Sequence, residues 1–188
     1  MPEGFLPRGF RDLFRRVGST PNRWYCAGQV NALALTTSAP TANNLRALPF
    51  FTPKKITLDQ IAINVTTLIA GKARLGIYND DGTVYPGTLL LDAGEVDTGT
   101  TGVKAVAINQ PLTAKLYWLV HVGNAAPTLR GVATGGLAHI LGLDSGLGTA
   151  PGVGYTAAFT YAALPASYPS GATVLTGTCT AIFVRLSA

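Results

Sequence analysis

The chain has 188 residues, of which 47% are hydrophobic and only 12% charged, and its formal net charge is +5. That length suffices for one domain with a core, while a charged share about half the usual value argues against a helical protein surfaced with Lys and Glu. Arg8, Arg11, Arg15, Arg16 and Arg23 stand against Glu3 and Asp12 in the first 25 residues, and the near-neutral remainder lacks the basic, aromatic-studded face of a nucleic-acid binder.

Residues 1–23 read as an arm broken by Pro2, Gly4, Pro7, Gly9, Gly18 and Pro21. Within it Phe10, Leu13, Phe14 and Val17 recur at helical spacing, with Arg11, Asp12, Arg15 and Arg16 on the other face. This spacing predicts one short amphipathic helix over residues 9–17. Its apolar face has three candidate uses: packing on its own domain, docking on a partner subunit, or lying on a membrane surface. The second use makes Arg8, Phe10, Arg11, Leu13, Phe14, Arg15, Arg16 and Val17 an anchor. No secretory signal and no membrane span are expected, because the sequence has neither kind of continuous apolar run.

From Trp24 onward the pattern is that of strands punctuated by turns, a single domain over residues 24–188. Residues 30–36 alternate as a strand. Residues 37–44 read as a loop and 45–51 as a strand, with Pro49 marking an edge or a strand end. Residues 56–69 form the longest run, rich in Ile and Thr. Its apolar set lies on even numbers at the start and on odd numbers from Ile61, which predicts a bulge near Asp59-Gln60. Residues 73–78 place Ala73, Leu75 and Ile77 inward and Arg74, Gly76 and Tyr78 outward. Asn79-Asp80-Asp81-Gly82 and Tyr85-Pro86-Gly87 are turn signals. Strands follow over 89–96 and 103–108, with Lys104 outside. The strand over 116–122 is apolar enough to be central, with Trp118, Val120 and Val122 facing one way. A short edge piece is expected over 129–132. Residues 133–177, rich in Gly and Pro, read as long loops around one strand at 155–161, and a last strand spans 178–186. The core is expected to include Ile61, Ile63, Val65, Leu75, Ile77, Trp118 and Val120. The fold class is all-β, an antiparallel sandwich of two packed sheets.

The chemistry-bearing residues do not assemble into a site. His121 and His139 lie far apart, read as satisfied or surface histidines, and no zinc spacing accompanies them. Cys26 and Cys179 read as free buried thiols rather than a disulfide. Asp80 and Asp81 fit a hairpin turn better than a calcium loop. The nine acidic residues contain no obvious pair across a groove, and Asp144-Ser145-Gly146 is not a nucleophile elbow. No catalytic residues, metal site or cofactor are expected, and the chain is read as non-enzymatic. Tyr155, Tyr161 and Tyr168, with Tyr78 and Tyr85, sit in or beside expected loops. Exposed, they could form a stacking platform for a sugar or a subunit contact; otherwise they pack loops onto the core.

Lys72-Ala73-Arg74-Leu75-Gly76-Ile77-Tyr78, then Asn79-Asp80-Asp81-Gly82 and Tyr85-Pro86-Gly87-Thr88-Leu89, is similar to a module of tailed-bacteriophage structural proteins. Leu116-Tyr117-Trp118-Leu119 and Pro127-Thr128-Leu129-Arg130-Gly131 fit the same module, and the resemblance covers residues 45–132 with a family-like strand at 178–186. It implies a jelly-roll-like sandwich displayed on a virion as a tail, collar or head-surface component, often oligomeric. Implied partners are other virion proteins of the capsid, portal, neck or tail, with a homo-oligomer, a trimer by the habit of fibres and spikes. The rival reading is a carbohydrate-binding module that uses the tyrosines on a host-surface glycan. A hydrolase is the third, and it requires two carboxylates facing across a cleft.

Overall fold

The computed structural model describes residues 21–28, 35–137, 139–143, 147 and 151–188. The anchor residues Arg8, Phe10, Arg11, Leu13, Phe14, Arg15, Arg16 and Val17 lie outside these residues, with the helix expected there and most of the strand expected at 30–36.

The described residues form an all-β structure of two antiparallel sheets. In the first sheet β4 (Ile56–Thr67) is central. β7 (Gly102–Leu112) pairs along one side of it. On the other side follow β13 (Phe183–Leu186) and then β9 (Thr128–Val132). β1 (Trp24–Cys26) flanks β13, and β2 (Leu35–Ser38) flanks β9. The short β12 (Cys179–Thr180) pairs with β9, so the last strand is split at Ala181-Ile182 and wedges between β9 and β4. The second sheet runs β11 (Thr173–Thr176), β10 (Gly152–Ala158), β3 (Asn44–Phe51), β8 (Leu116–Gly123), β5 (Lys72–Asp80), β6 (Pro86–Asp97).

The bulge in β4 is where the change of apolar parity put it. The register slips between Leu58 and Gln60 against β7, and at the same place against β13. One extra residue lets Ile56 and Leu58 as well as Ile61, Ile63 and Val65 enter the core. Asp59 is thereby turned out to meet Arg185 in a bidentate pair of 2.9 and 2.8 Å.

Several expectations need correcting. Residues 129–132 are not an edge piece: β9 is paired on both sides. Pro49, by contrast, stands where an edge was expected: β3 is internal at its start, between β8 and β10, but at Pro49 pairs only with β8. The proline's missing N–H is thus tolerated there, while its carbonyl accepts from Gly28 N at 2.6 Å. Tyr85-Pro86-Gly87 is not a separate turn, since Pro86 opens β6. Lys104 lies on the half-buried side of β7, with Val106 and Ile108, and its ammonium reaches Thr100 Oγ1 at the strand end. In the Gly-rich stretch β10 begins three residues before Tyr155, and β11, unanticipated, pairs with it.

The largest correction concerns the second sheet, which is buried on both faces along its central strands β3, β8 and β5. Leu48, Leu75, Ile77, Tyr117 and Leu119 face the first sheet in the main core. Leu45, Ala47, Tyr78, Trp118, Val120 and Val122 form a second core on the opposite face. Trp118 and Val120 are buried as expected, but not between the sheets. Tyr78, expected outside, is wholly buried. The cover is the segment 159–172, which crosses the face from β10 to β6. Phe159 N donates to Asn43 O, Leu89 N to Ala166 O, and Tyr168 N to Gly87 O, at 2.8, 2.8 and 2.9 Å. Alternation failed because it presumes one wet face, and these central strands have none.

Gly76 in β5 is required by the close approach of the β6 backbone and of this cover. A Cβ there would lie 2.2 Å from Leu164 Cδ1 and 2.6 Å from the Leu91 carbonyl oxygen. The side chain of Leu164 can turn away, but the Leu91 backbone cannot. Gly76→Val is expected to destabilise by at least about 1–3 kcal/mol, read as a shift of the urea midpoint. A variant as stable as the parent would show that the Leu91 backbone and Leu164 do not pack this closely on Gly76.

Candidate functional site

The tyrosines singled out from the sequence do come together, on the covered face of the second sheet. Tyr78 and Tyr168 meet edge to face at 5.6 Å, Tyr85 and Tyr155 at 4.6 Å, Tyr85 and Tyr168 at 6.0 Å, and Tyr155 reaches Trp118 at 5.5 Å. Such offset and edge contacts suit the aromatic quadrupole. Each hydroxyl at the centre is tied to backbone: Tyr78 donates to Pro165 O at 2.6 Å, Tyr85 to Pro169 O at 2.5 Å, and Tyr168 to Leu45 O at 2.8 Å. Trp118 Nε1 donates to Asp80 Oδ1 at 2.9 Å. Burial raises the hydroxyl pKa of Tyr78 and of Tyr168 well above the usual phenol value.

Tyr168 is therefore buried rather than exposed, and Tyr155 is half-buried with its ring against Tyr85 and Trp118. Tyr161 packs against the same cluster near Glu95 of β6. Its backbone N donates to Asn43 Oδ1 at 2.9 Å, and burial together with the Glu95 carboxylate pushes its hydroxyl up to about 12. The arrangement is that of rings fastening a cover segment to a sheet. The pairing of Tyr85 with Pro169, 84 residues away, had no local signal in the sequence.

The carboxylates are engaged. Arg74 bridges Asp92, at 3.0 and 2.9 Å, and Glu95, at 3.1 Å, while Lys72 holds the other Glu95 oxygen at 2.9 Å. Asp92 also accepts from Gly94 N and Leu164 N, each at 3.0 Å. Lys72, then Tyr161 and Arg74, hold the Glu95 carboxyl down at about 2. This pair lies on one hairpin and secures the cover segment; sequence spacing alone did not expose it. Asp80 and Asp81 cap the β5–β6 turn, accepting from Gly82 N at 2.9 Å and Thr83 N at 2.7 Å, which is the hairpin role expected of them. Among the described residues, no group of three His, Cys, Asp or Glu side chains could hold a metal ion.

Cys26 and Cys179 are free, and burial pushes both thiols up to about 12. His139 is exposed, with Nε2 3.0 Å from Thr134 O. His121 departs from expectation: it is buried, and its Nε2 has no protein partner among the described residues. No helix of the described residues is long and apolar enough to cross a membrane. No family model and no curated protein matches this chain.

Proposed function

We propose that the chain is a non-enzymatic structural protein of a tailed-bacteriophage particle, a jelly-roll domain carried on the virion by its N-terminal arm. The observation that carries this reading is the strand order. Sheet neighbours β2, β9, β4 and β7 pack against β3, β8, β5 and β6. From β2 to β9 the chain crosses between the two sheets at every connection except the β5–β6 hairpin. That order supports reading the sandwich as an eight-stranded jelly roll, an architecture of viral capsid and lectin domains. β10 and β11 extend one sheet, and β1, β12 and β13 complete the other. Of the residues that resemble the phage module, 72–89 fall on the β5–β6 hairpin with its Asp-capped turn, 116–119 on β8 and 127–131 on and just before β9. The sugar-platform reading has less support, because the ring of Tyr168 is covered and that of Tyr155 is spent on internal contacts.

The arm's boundary matters for the test. Asn22 N donates to Leu186 O at 3.1 Å and Leu186 N to Arg23 O at 3.2 Å, so residues 22–26 belong to the sheet edge. Deletion of residues 1–20 is expected to leave the unfolding midpoint within about 0.5 kcal/mol of the parent, and to abolish incorporation into particles. Incorporation of the shortened chain at the parent's level would contradict the anchoring role. A trimer is the favoured assembly, since a charge-poor surface offers little repulsion between copies. Light scattering on the purified chain is expected to give three times the 19.5 kDa chain mass; a monomer at micromolar concentration would overturn it.

A further inference from the structure

The inner face of the second sheet carries one polar rung in an otherwise apolar core. Thr156 of β10 is in register with Arg46 of β3, and Arg46 with His121 of β8. His121 is in turn opposite Leu75, a main-core residue, so the rung faces the first sheet. In-register side chains on adjacent strands have Cβ atoms about 4.5–5.5 Å apart. Arg46 Nε, His121 Nε2 and Thr156 Oγ1 are all buried, and none has a protein partner among the described residues. Orphaned buried polar atoms are infrequent singly, and here three stand on consecutive strands. His121 is 2% exposed, whereas Arg46 is only half-buried and connects the rung to solvent.

Among the described residues, no carboxylate is paired with the charge on this rung. The described carboxylates are committed elsewhere: Asp59 to Arg185, Asp92 and Glu95 to Arg74, Asp80 to Trp118, and Asp81 and Asp97 to their own turns. Cys179 is the other titratable group that Arg46 feels, and burial keeps that thiol protonated. A guanidinium whose Nε–H is buried, with no opposite charge beside it, carries a desolvation cost. A bound water would satisfy a hydroxyl or an imidazole but would leave the positive charge uncompensated. An oxyanion would answer both, accepting from the guanidinium, the Thr156 hydroxyl and an imidazole N–H.

We propose that Thr156, Arg46 and His121 form a binding site for one small oxyanion, a phosphate or carboxylate group, entered past Arg46. Arg46 supplies the charge and Nε–H; Thr156 and His121 orient the oxygens. The site lies on the face of the sheet opposite the tyrosine cluster and is independent of the role proposed above.

Titration calorimetry of the full chain at pH 7 tests it, with inorganic phosphate and acetate as separate probes against chloride at equal ionic strength. One saturable equivalent of either probe is expected, and which binds more tightly distinguishes a phosphate from a carboxylate ligand. Arg46→Met is expected to weaken binding at least tenfold and Thr156→Val at least threefold, while Lys54→Gln, on an exposed turn, leaves it unchanged. Absence of saturable binding would overturn the proposal, as would equal affinity in Arg46→Met. Should Arg46→Met not fold, the near-isosteric Thr156→Val decides, and unchanged affinity there overturns it.

Discussion

Trp118→Ala is expected to cost about 3–5 kcal/mol, in the range of the largest single-site effects in a core. Trp118 is wholly buried, yet it does not lie between the two sheets. It sits on the outer face of β8, against Tyr155 and beneath the cover formed by residues 159–172. Its removal opens a cavity and leaves Asp80 Oδ1 without the indole N–H. Because Tyr155 stacks on both Trp118 and Tyr85, the cover segment should loosen with it. Hydrogen exchange of the Leu89, Tyr168 and Leu164 amides, each bonded across that boundary, should accelerate in the variant. Val103→Ala, on an exposed face of β7 where the parent side chain is 62% accessible, should stay within about 0.5 kcal/mol. A Trp118→Ala cost near that of Val103→Ala would mean that the outer face of the second sheet is no core.

The second large effect is acid sensitivity set by His121. Burial first, and then the Arg46 charge, hold its imidazole down at about 3, against an ordinary value of 6.5. The unfolded chain thus binds this proton more tightly than the folded one. The stabilisation is fully present above about pH 6.5 and is lost as pH falls from there toward 3, at up to ~1.4 kcal/mol per pH unit. Asp59, Asp81 and Glu95 are also held low by their partners, and their losses begin only below about 4.5. The interval from pH 6.5 to 5 therefore isolates His121. Urea midpoints of the parent should fall across it, while those of His121→Asn should not. Parallel curves for the two proteins would place a proton-accepting partner, or water, on the imidazole.

The legibility of the chain followed the physics of each element. β4 could be read with its start and its bulge, and with its end two residues too late at 69 rather than Thr67, because one of its faces is apolar on each side of a parity change. The turn at Asn79–Gly82 could be read because Asp and Gly act locally there, through bonds two residues apart. β8 was legible as a central strand, but not which of its faces met which layer, since Tyr117 and Trp118 are equally apolar and both buried. β11 and the cover segment were not legible. β11 pairs with β10 across the cover segment, and the cover itself is ordered by bonds to residues more than 70 positions away, such as Tyr78 to Pro165 and Leu164 to Asp92. The polar rung stayed hidden for the same reason: Thr156, Arg46 and His121 become neighbours only through strand order.

The most direct test of the proposed role is mass spectrometry of purified phage particles made in cells that express the full chain. Particles should be banded by density and washed in high salt before digestion. The account predicts peptides of this chain at a fixed copy number relative to the major head protein, retained through the wash. Their absence from banded particles, with the chain recovered wholly in the soluble fraction, would contradict it.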